Sequence, residues 1–203
     1  MIRNIVFDMG QVLIHFDRDY FIRRLGITGE DATLLMNEVF LSLEWARLDR
    51  GSLTDEEAVA SVCQRLPARL HQAAEKLICQ WDRPLLPMEG TYELVEELKN
   101  RGYGIYLLSN ACFRQHEYWP RIPCSRFFDG TFISCDVKRV KPEQEIYELF
   151  FRRFALRPEE CFFVDDTPQN IEGAFRCGMA GAVFHGDVQE LRANMRRAGI
   201  ELS

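Results

Sequence analysis

Strand-length apolar runs alternate with stretches of helical spacing through the second half of the chain, and this alternation constrains the fold more than any other feature. Helical spacing is expected over residues 92–100, 142–154 and 170–177, and strands over residues 104–108, 132–134, 161–164 and 181–184. A further run, residues 2–7, is apolar and β-branched apart from Arg3 and Asn4 and is stopped by Asp8-Met9-Gly10, so it predicts a strand running into a tight loop. Strict alternation of this kind predicts an α/β fold, a doubly wound parallel sheet with helices on both faces. Such sheets bind ligands in the crevice outside the carboxyl ends of their strands, so the residues that follow each strand must be read together.

The first half of the chain departs from this rhythm. Helical spacing recurs over residues 20–25, 32–43, 55–66 and 68–81 without an intervening strand, and Pro84, Pro87 and Gly90 then break the pattern. A chain of 203 residues suffices for one well-buried core and a small inserted module, but not for two full domains. Residues 1–16 and 82–203 are therefore expected to form the α/β core and residues 17–81 a helical insert, with a hinge across residues 82–90.

A net charge of −6 opposes wrapping a nucleic acid, although a local basic pocket can still hold one phosphate, so a small anionic metabolite is the expected partner. No apolar run approaches the roughly 20 residues that cross a bilayer. With no signal-peptide core at the start of the sequence, the chain is expected to stay off the membrane and in the cytoplasm. The seven cysteines are odd in number and form no C-x-x-C pair, which argues against a disulfide framework and a zinc knuckle. The sequence does not fix an oligomeric state.

Chemistry concentrates at the strand ends. Asp8, Ser109-Asn110, Lys141 and Asp165-Asp166 each follow a predicted strand or adjoin one, and a doubly wound sheet brings all of them to one edge. Each has a bland reading: a loop aspartate accepting backbone donors, a helix-capping Ser or Asn, a solvated lysine, or Thr167 capping a helix that begins with Pro168. Capping does not call for two adjacent carboxylates, however. Three carboxylates at one place repel each other unless a cation sits among them, and oxygen ligands suit Mg²⁺ better than zinc.

The ordered series resembles the four motifs of the haloacid dehalogenase superfamily. Ile5-Val6-Phe7-Asp8-Met9-Gly10-Gln11-Val12 is similar to the first motif, Leu107-Leu108-Ser109-Asn110 to the second, Lys141-Pro142-Glu143 to the third and Phe162-Phe163-Val164-Asp165-Asp166 to the fourth. The insert at 17–81 resembles the α-helical cap of the subfamily that includes many phosphosugar phosphatases, so the resemblance covers nearly the whole chain and implies a Rossmann-like core. It implies further that Asp8 attacks phosphorus to form an aspartyl phosphate. In this scheme Mg²⁺ is held by Asp8, the Gly10 carbonyl and Asp166, with Asp165 in support. Lys141 then neutralises the phosphoryl group, and Ser109 and Asn110 donate hydrogen bonds to its oxygens.

One position departs from the pattern. The usual phosphatase of the family has a second aspartate where this chain has Gly10, and that aspartate protonates the leaving oxygen and later activates water. A positioned acid or base is worth about 10² to 10⁴ in rate, so a slower phosphatase is expected. Gly10 keeps its carbonyl for the metal and, as glycine, accepts whatever backbone angles a sharp loop requires. His15 and Asp17 lie just past the loop and are weak substitutes for the acid. Without one, an anomeric sugar 1-phosphate is expected to outrank a 6-phosphate. Glu44, Trp45, Arg47 and Arg50 cluster in the insert, either facing substrate or serving as helix surface and cap core. The alternatives are a metal-independent 2-haloacid dehalogenase, a phosphometabolite-binding protein with little turnover, and, ranked last, phosphoglucomutase-like transfer.

Overall fold

A computed structural model describes residues Met1–Ser203. Five parallel strands, β1 (Asn4–Phe7), β2 (Gly104–Ser109), β3 (Gly130–Ile133), β4 (Cys161–Asp165) and β5 (Ala180–Val183), form one sheet in the order β3-β2-β1-β4-β5. β1 is central and pairs with both β2 and β4, Phe7 lying opposite Leu107 and Val164. Connections from β1 run one way to β2 and β3 and then return across β1 to β4, so the order reverses at the carboxyl end of β1, where Asp8 stands.

Side chains alternate between two apolar layers because the strand period is two. Ile5 and Phe7, with Ile105, Leu107, Phe162 and Val164, pack on one face against α6 (Thr91–Asn100) and α11 (Val188–Arg197) through Leu94, Leu98, Leu191 and Met195. Val6, Leu108 and Phe163 enter the other layer with Ile146, Tyr147 and Phe150 of α9 (Gln144–Phe154) and Ile171 of α10 (Pro168–Arg176). Ile5, Val6 and Phe7 are fully buried, each contributing about 1.5 to 3 kcal/mol, which anchors the strand that presents Asp8. Two short helices, α7 (Gln115–Tyr118) and α8 (Ser134–Val137), follow β2 and β3.

Between β1 and α6 the chain is helical: α1 (Arg18–Arg23), α2 (Gly29–Leu35), α3 (Leu43–Asp49), α4 (Asp55–Cys63) and α5 (His71–Cys79). The single helix expected over residues 32–43 divides, since a π-helical turn spans Met36–Phe40 and a new helix starts at Ser42. The Ser42 hydroxyl accepts from Trp45 N (3.2 Å) and donates to the Val39 carbonyl (2.8 Å), so a side chain takes over backbone groups the longer helix would have used. α4 begins with the reciprocal Thr54/Glu57 capping box.

Aromatic rings tie this segment to the sheet. Phe16 packs edge-on to Trp81 at 4.8 Å, Phe40 lies 4.9 Å from Trp45, and Trp81 meets Tyr118 of the core at 5.2 Å. The connection back to α6 is anchored as well. Asp82, almost wholly buried, accepts from Arg114 (2.7 Å) and from Arg121, and Met88 N donates to the Leu13 carbonyl (2.9 Å). Burial opposes the charge on Asp82, but the two guanidinium groups hold its carboxyl below the usual range.

Candidate active site

Asp8 is positioned by backbone first. Its N–H donates to the Val164 carbonyl (2.8 Å), extending the β1–β4 ladder by one rung, and the loop beyond turns back because the Met9 carbonyl accepts from Val12, Leu13 and Ile14. The residue in the left-handed region is Gln11, at φ 56°, and not Gly10. Gln11 is held there by its own amide, which donates to the Ile14 carbonyl (2.7 Å), and by its side-chain oxygen, which accepts from Phe16 N (2.7 Å). The expected need for glycine-like angles at position 10 therefore does not arise. A Cβ at Gly10 would meet only Phe16 Cβ, at 3.7 Å, an ordinary contact.

Lys141 organises the carboxylates. It is 4% exposed, and its Nζ spends all three donors, on Asp8 Oδ1 (2.8 Å), Asp165 Oδ2 (2.7 Å) and the Leu108 carbonyl (2.9 Å). The solvated lysine is thus excluded, and Lys138, its neighbour in sequence, is exposed. Burial opposes the charge on Lys141, but Asp165 and Asp8 more than offset it and hold the ammonium above its ordinary range.

Asp165, fully buried, accepts from Lys141, from Asn170 Nδ2 (3.0 and 3.1 Å) and from Thr167 N (2.8 Å). Its oxygens are committed within the protein, which fits a supporting part. The Thr167 side chain makes no capping bond to the backbone of α10; the Asp165 carboxylate takes the Thr167 N–H instead. Asp8, Asp165 and Asp166 have carboxylate oxygens within 4.8 Å of one another, and Asp8 and Asp166 both line the adjoining cleft. Burial pushes the Asp8 carboxyl up to about 7, with Asp165 and Asp166 adding to the effect and Lys141 opposing it. Burial, and then the charge of Asp165, also raise Asp166. Three carboxylates against one ammonium leave a site that favours a cation, and the hard oxygen donors of Asp8 and Asp166 fit Mg²⁺.

The second-strand residues divide. Ser109 is buried at the end of β2, while Asn110 lines the cleft. Asn110 donates from Nδ2 to the Lys141 carbonyl (3.0 Å) and accepts from Lys141 N (2.8 Å), so its amide chiefly fixes the lysine's backbone and has one N–H left for a ligand. Of the four insert residues singled out from the sequence, only Trp45 lines the cleft. Glu44 is turned into the helices, paired with Arg65 (2.9 Å) and Ser61 (2.6 Å), Arg47 is exposed, and Arg50 forms an ion pair with Glu143 of the core. Asp17 caps α1 through Tyr20 N (2.9 Å), and His15 lies at the rim.

The cleft has a volume of about 760 Å³, of the size that takes a small ligand. Two of its residues escape the sequence reading. Asn170 lies in the first turn of α10, five positions past Asp165, and that spacing is the only sign of it in the sequence, since its burial is a product of the fold. Asp49, at the end of α3, carried none, since only the fold brings it to Asp8.

The chain matches the haloacid dehalogenase-like hydrolases over residues 2–178. It belongs to this family. Among curated proteins, a D-ribitol-5-phosphate phosphatase from Bacteroides thetaiotaomicron is 26% identical over 84% of this chain and 86% of its own length. A glyceraldehyde 3-phosphate phosphatase from Methanothermobacter thermautotrophicus is 28% identical over 59% of this chain, and a flavin mononucleotide hydrolase from Arabidopsis thaliana is 27% identical over 57%. The matches span 54% and 47% of the lengths of these last two relatives, about half. A solved HAD-like hydrolase from Porphyromonas gingivalis superposes with a TM-score of 0.73, at 25% identity, over 99% of this chain and 100% of its own. The B. thetaiotaomicron HAD enzyme solved with magnesium and inorganic phosphate gives a TM-score of 0.67 at 24% identity, over 94% of this chain and 99% of its own. An α/β Rossmann-like HAD fold is thereby established for this hydrolase.

Proposed function

We propose that this HAD-family hydrolase is a Mg²⁺-dependent phosphatase of small phosphomonoesters, sugar phosphates in particular, working through an aspartyl phosphate on Asp8. The observation that carries the reading is the buried Lys141 bridging Asp8 and Asp165, with Asp166 beside them at the mouth of a ligand-sized cleft. Residues 1–16 and 82–203 are the catalytic core in this reading, and residues 17–81 the cap.

Asp8 is the nucleophile. Lys141 keeps one of its oxygens oriented and offsets negative charge as the phosphoryl group approaches, an electrostatic effect strengthened by burial. Asp8, Asp166 and the Gly10 carbonyl hold the cation, whose chemistry when bound is to offset charge on the phosphoryl oxygens. Asp165 and Asn170 position Lys141 rather than touch substrate. The free N–H of Asn110, which lines the cleft, donates to the phosphoryl oxygens.

Support for the phosphate reading over a 2-haloacid dehalogenase comes from the converging carboxylates, because attack on carbon needs no cation. The intact Asp8–Lys141–Asp165 arrangement likewise favours turnover over passive binding. The named phosphatases among the relatives support a phosphorylated small molecule as substrate. Preference for an anomeric 1-phosphate follows from Gly10 only if no other group protonates the leaving oxygen.

The test is phosphate release from p-nitrophenyl phosphate and a phosphosugar panel, with and without Mg²⁺, for the native chain and Asp8→Asn. Mg²⁺-dependent turnover that Asp8→Asn abolishes is expected. Chloride release from 2-chloropropionate, with no phosphate release from any ester, would overturn the reading in favour of the dehalogenase.

A further inference from the structure

The phosphatase reading leaves one task unassigned, protonation of the leaving oxygen, and the helical segment carries a carboxyl placed for it. Asp49 ends α3 and lines the same cleft as Asp8, Gly10 and Asp166. Its side chain forms no hydrogen bond or ion pair within the protein, whereas Glu44 on the same helix is fully paired with Arg65 and Ser61. A carboxyl left free in a cleft of charged groups is available to a ligand.

Its backbone, by contrast, is clamped to the core from three sides. The Asp49 carbonyl accepts from the Ser134 hydroxyl, which itself accepts from Ala111 N (2.9 Å) beside the second motif. Arg50 is forked onto Glu143, two residues past Lys141, and also donates to the Lys138 carbonyl (3.3 Å). Gly51, at φ 69°, lies so close to α8 that a Cβ there would come within 2.3 Å of the Cys135 carbonyl oxygen. All three contacts fall within two residues of Asp49, so the arrangement fixes that residue relative to Asp8.

Resting on the phosphatase reading, we propose that Asp49 is the acid and base of this enzyme, delivered by the cap in place of the carboxylate that Gly10 lacks. In the first half, Asp8 forms a bond to phosphorus as the ester P–O bond breaks, and its electron pair passes to the leaving oxygen, which takes the proton of Asp49. In the second half, the Asp49 carboxylate accepts a proton from the attacking water. The bond from phosphorus to Asp8 then breaks, its pair returns to the aspartate, and inorganic phosphate leaves.

The protonation state required is the one the surroundings favour. Burial, then the charge of Asp8, push the Asp49 carboxyl up to about 8, against opposing effects from Arg18 and Lys141. The other titratable groups of the cleft are His15, Asp17, Asp19, Asp166, Cys112 and Tyr118, and burial raises the pKa values of the last two, so neither of those brings a charge near neutral pH. A Cβ at position 10 makes only an ordinary contact, so an aspartate there is a fair substitute for Asp49.

The experiment compares the native chain with Asp49→Asn, Asp49→Glu and the double variant Asp49→Asn/Gly10→Asp. Each is assayed with Mg²⁺ on p-nitrophenyl phosphate, whose leaving group departs without a proton, and on a primary phosphosugar ester, whose leaving group needs one. The activity of Asp49→Asn should fall at least about 100-fold further on the sugar ester than on the aryl ester, within the range of a lost general acid. Asp49→Glu or the double variant should restore part of the loss. In parallel, the melting temperature of the metal-free native chain should fall relative to Asp49→Asn as pH rises from about 4 to 8, because the native state disfavours the charged form. Equal loss on both esters, or a stability difference that is flat with pH, would overturn the proposal while leaving the phosphatase standing. Absence of native turnover on either ester would instead overturn the phosphatase reading, and this one with it.

Discussion

Lys141 touches two carboxylates and a carbonyl at once, so the consequence of losing it depends on pH. Lys141→Met leaves Asp8 and Asp165 buried without their cation, which costs about 3 to 5 kcal/mol. Chemical denaturation should show that loss at pH 8 and a partial recovery near pH 5, where the stranded carboxylates take up protons. Asn170→Ala is a milder change that removes two contacts to Asp165 but no charge. It should cost about 1.5 to 3 kcal/mol, the range for hydrogen bonds to charged groups, and lower kcat about tenfold or more because Lys141 loses its support. If kcat were unchanged with stability reduced, Asn170 would only support the fold. Asp165 is legible in the sequence because it stands at a strand end, and Lys141 because it precedes Pro142 in the third motif-like segment, whereas the amide that holds Asp165 comes from an asparagine inside a helix.

At the level of elements, the helical segment is held together by ion pairs as well as by aromatic packing. Arg65 reaches both Glu38 and Glu44, and its hydrogen bonds to Glu44 draw that carboxyl down to about 2 against the opposing effect of burial. A carboxylate with a depressed pKa adds stability above its unfolded value, near 4.3, and loses it as pH falls through the folded one. Arg65→Ala should therefore cost about 1 to 2 kcal/mol at pH 7, the half-exposed guanidinium reducing the full linkage value, and about half as much at pH 3. Urea melts at the two pH values measure this directly. The sequence leaves Glu44 either facing substrate or in the core of the helical segment, because helical spacing alone does not say which side of a helix is covered, and the structure places it in that core. Ser42 shows a similar limit, since apolar spacing ran through it while its hydroxyl divided one helix into two.

For the molecule as a whole, the cluster of carboxylates ties stability to the metal. Mg²⁺ at about 100 times its dissociation constant adds about 2.7 kcal/mol, and in a chain of this size each kcal/mol shifts the melting temperature by about 2 to 4 °C. Calorimetry should thus show a rise of about 5 to 11 °C for the native chain and little for Asp8→Asn/Asp166→Asn. An equal rise in both would place the ion elsewhere. Chelation should remove turnover along with the shift. No helix is long and apolar enough to cross a membrane.

Local pattern and motif order determined the sheet, the helices on its two faces, and the three strand ends and the loop before Pro142 where the chemistry collects. These follow from short-range rules: apolar alternation makes strands, helical spacing makes covering helices, and a parallel sheet leaves its carboxyl edge open. Tertiary structure alone decided that Gln11 and not Gly10 takes the left-handed turn, that Asn110 grips the backbone of Lys141, and that Asp49 lines the same cleft as Asp8. Each of these depends on contacts between residues far apart in the chain or on the exact course of a loop, and neither is written in the spacing of neighbours.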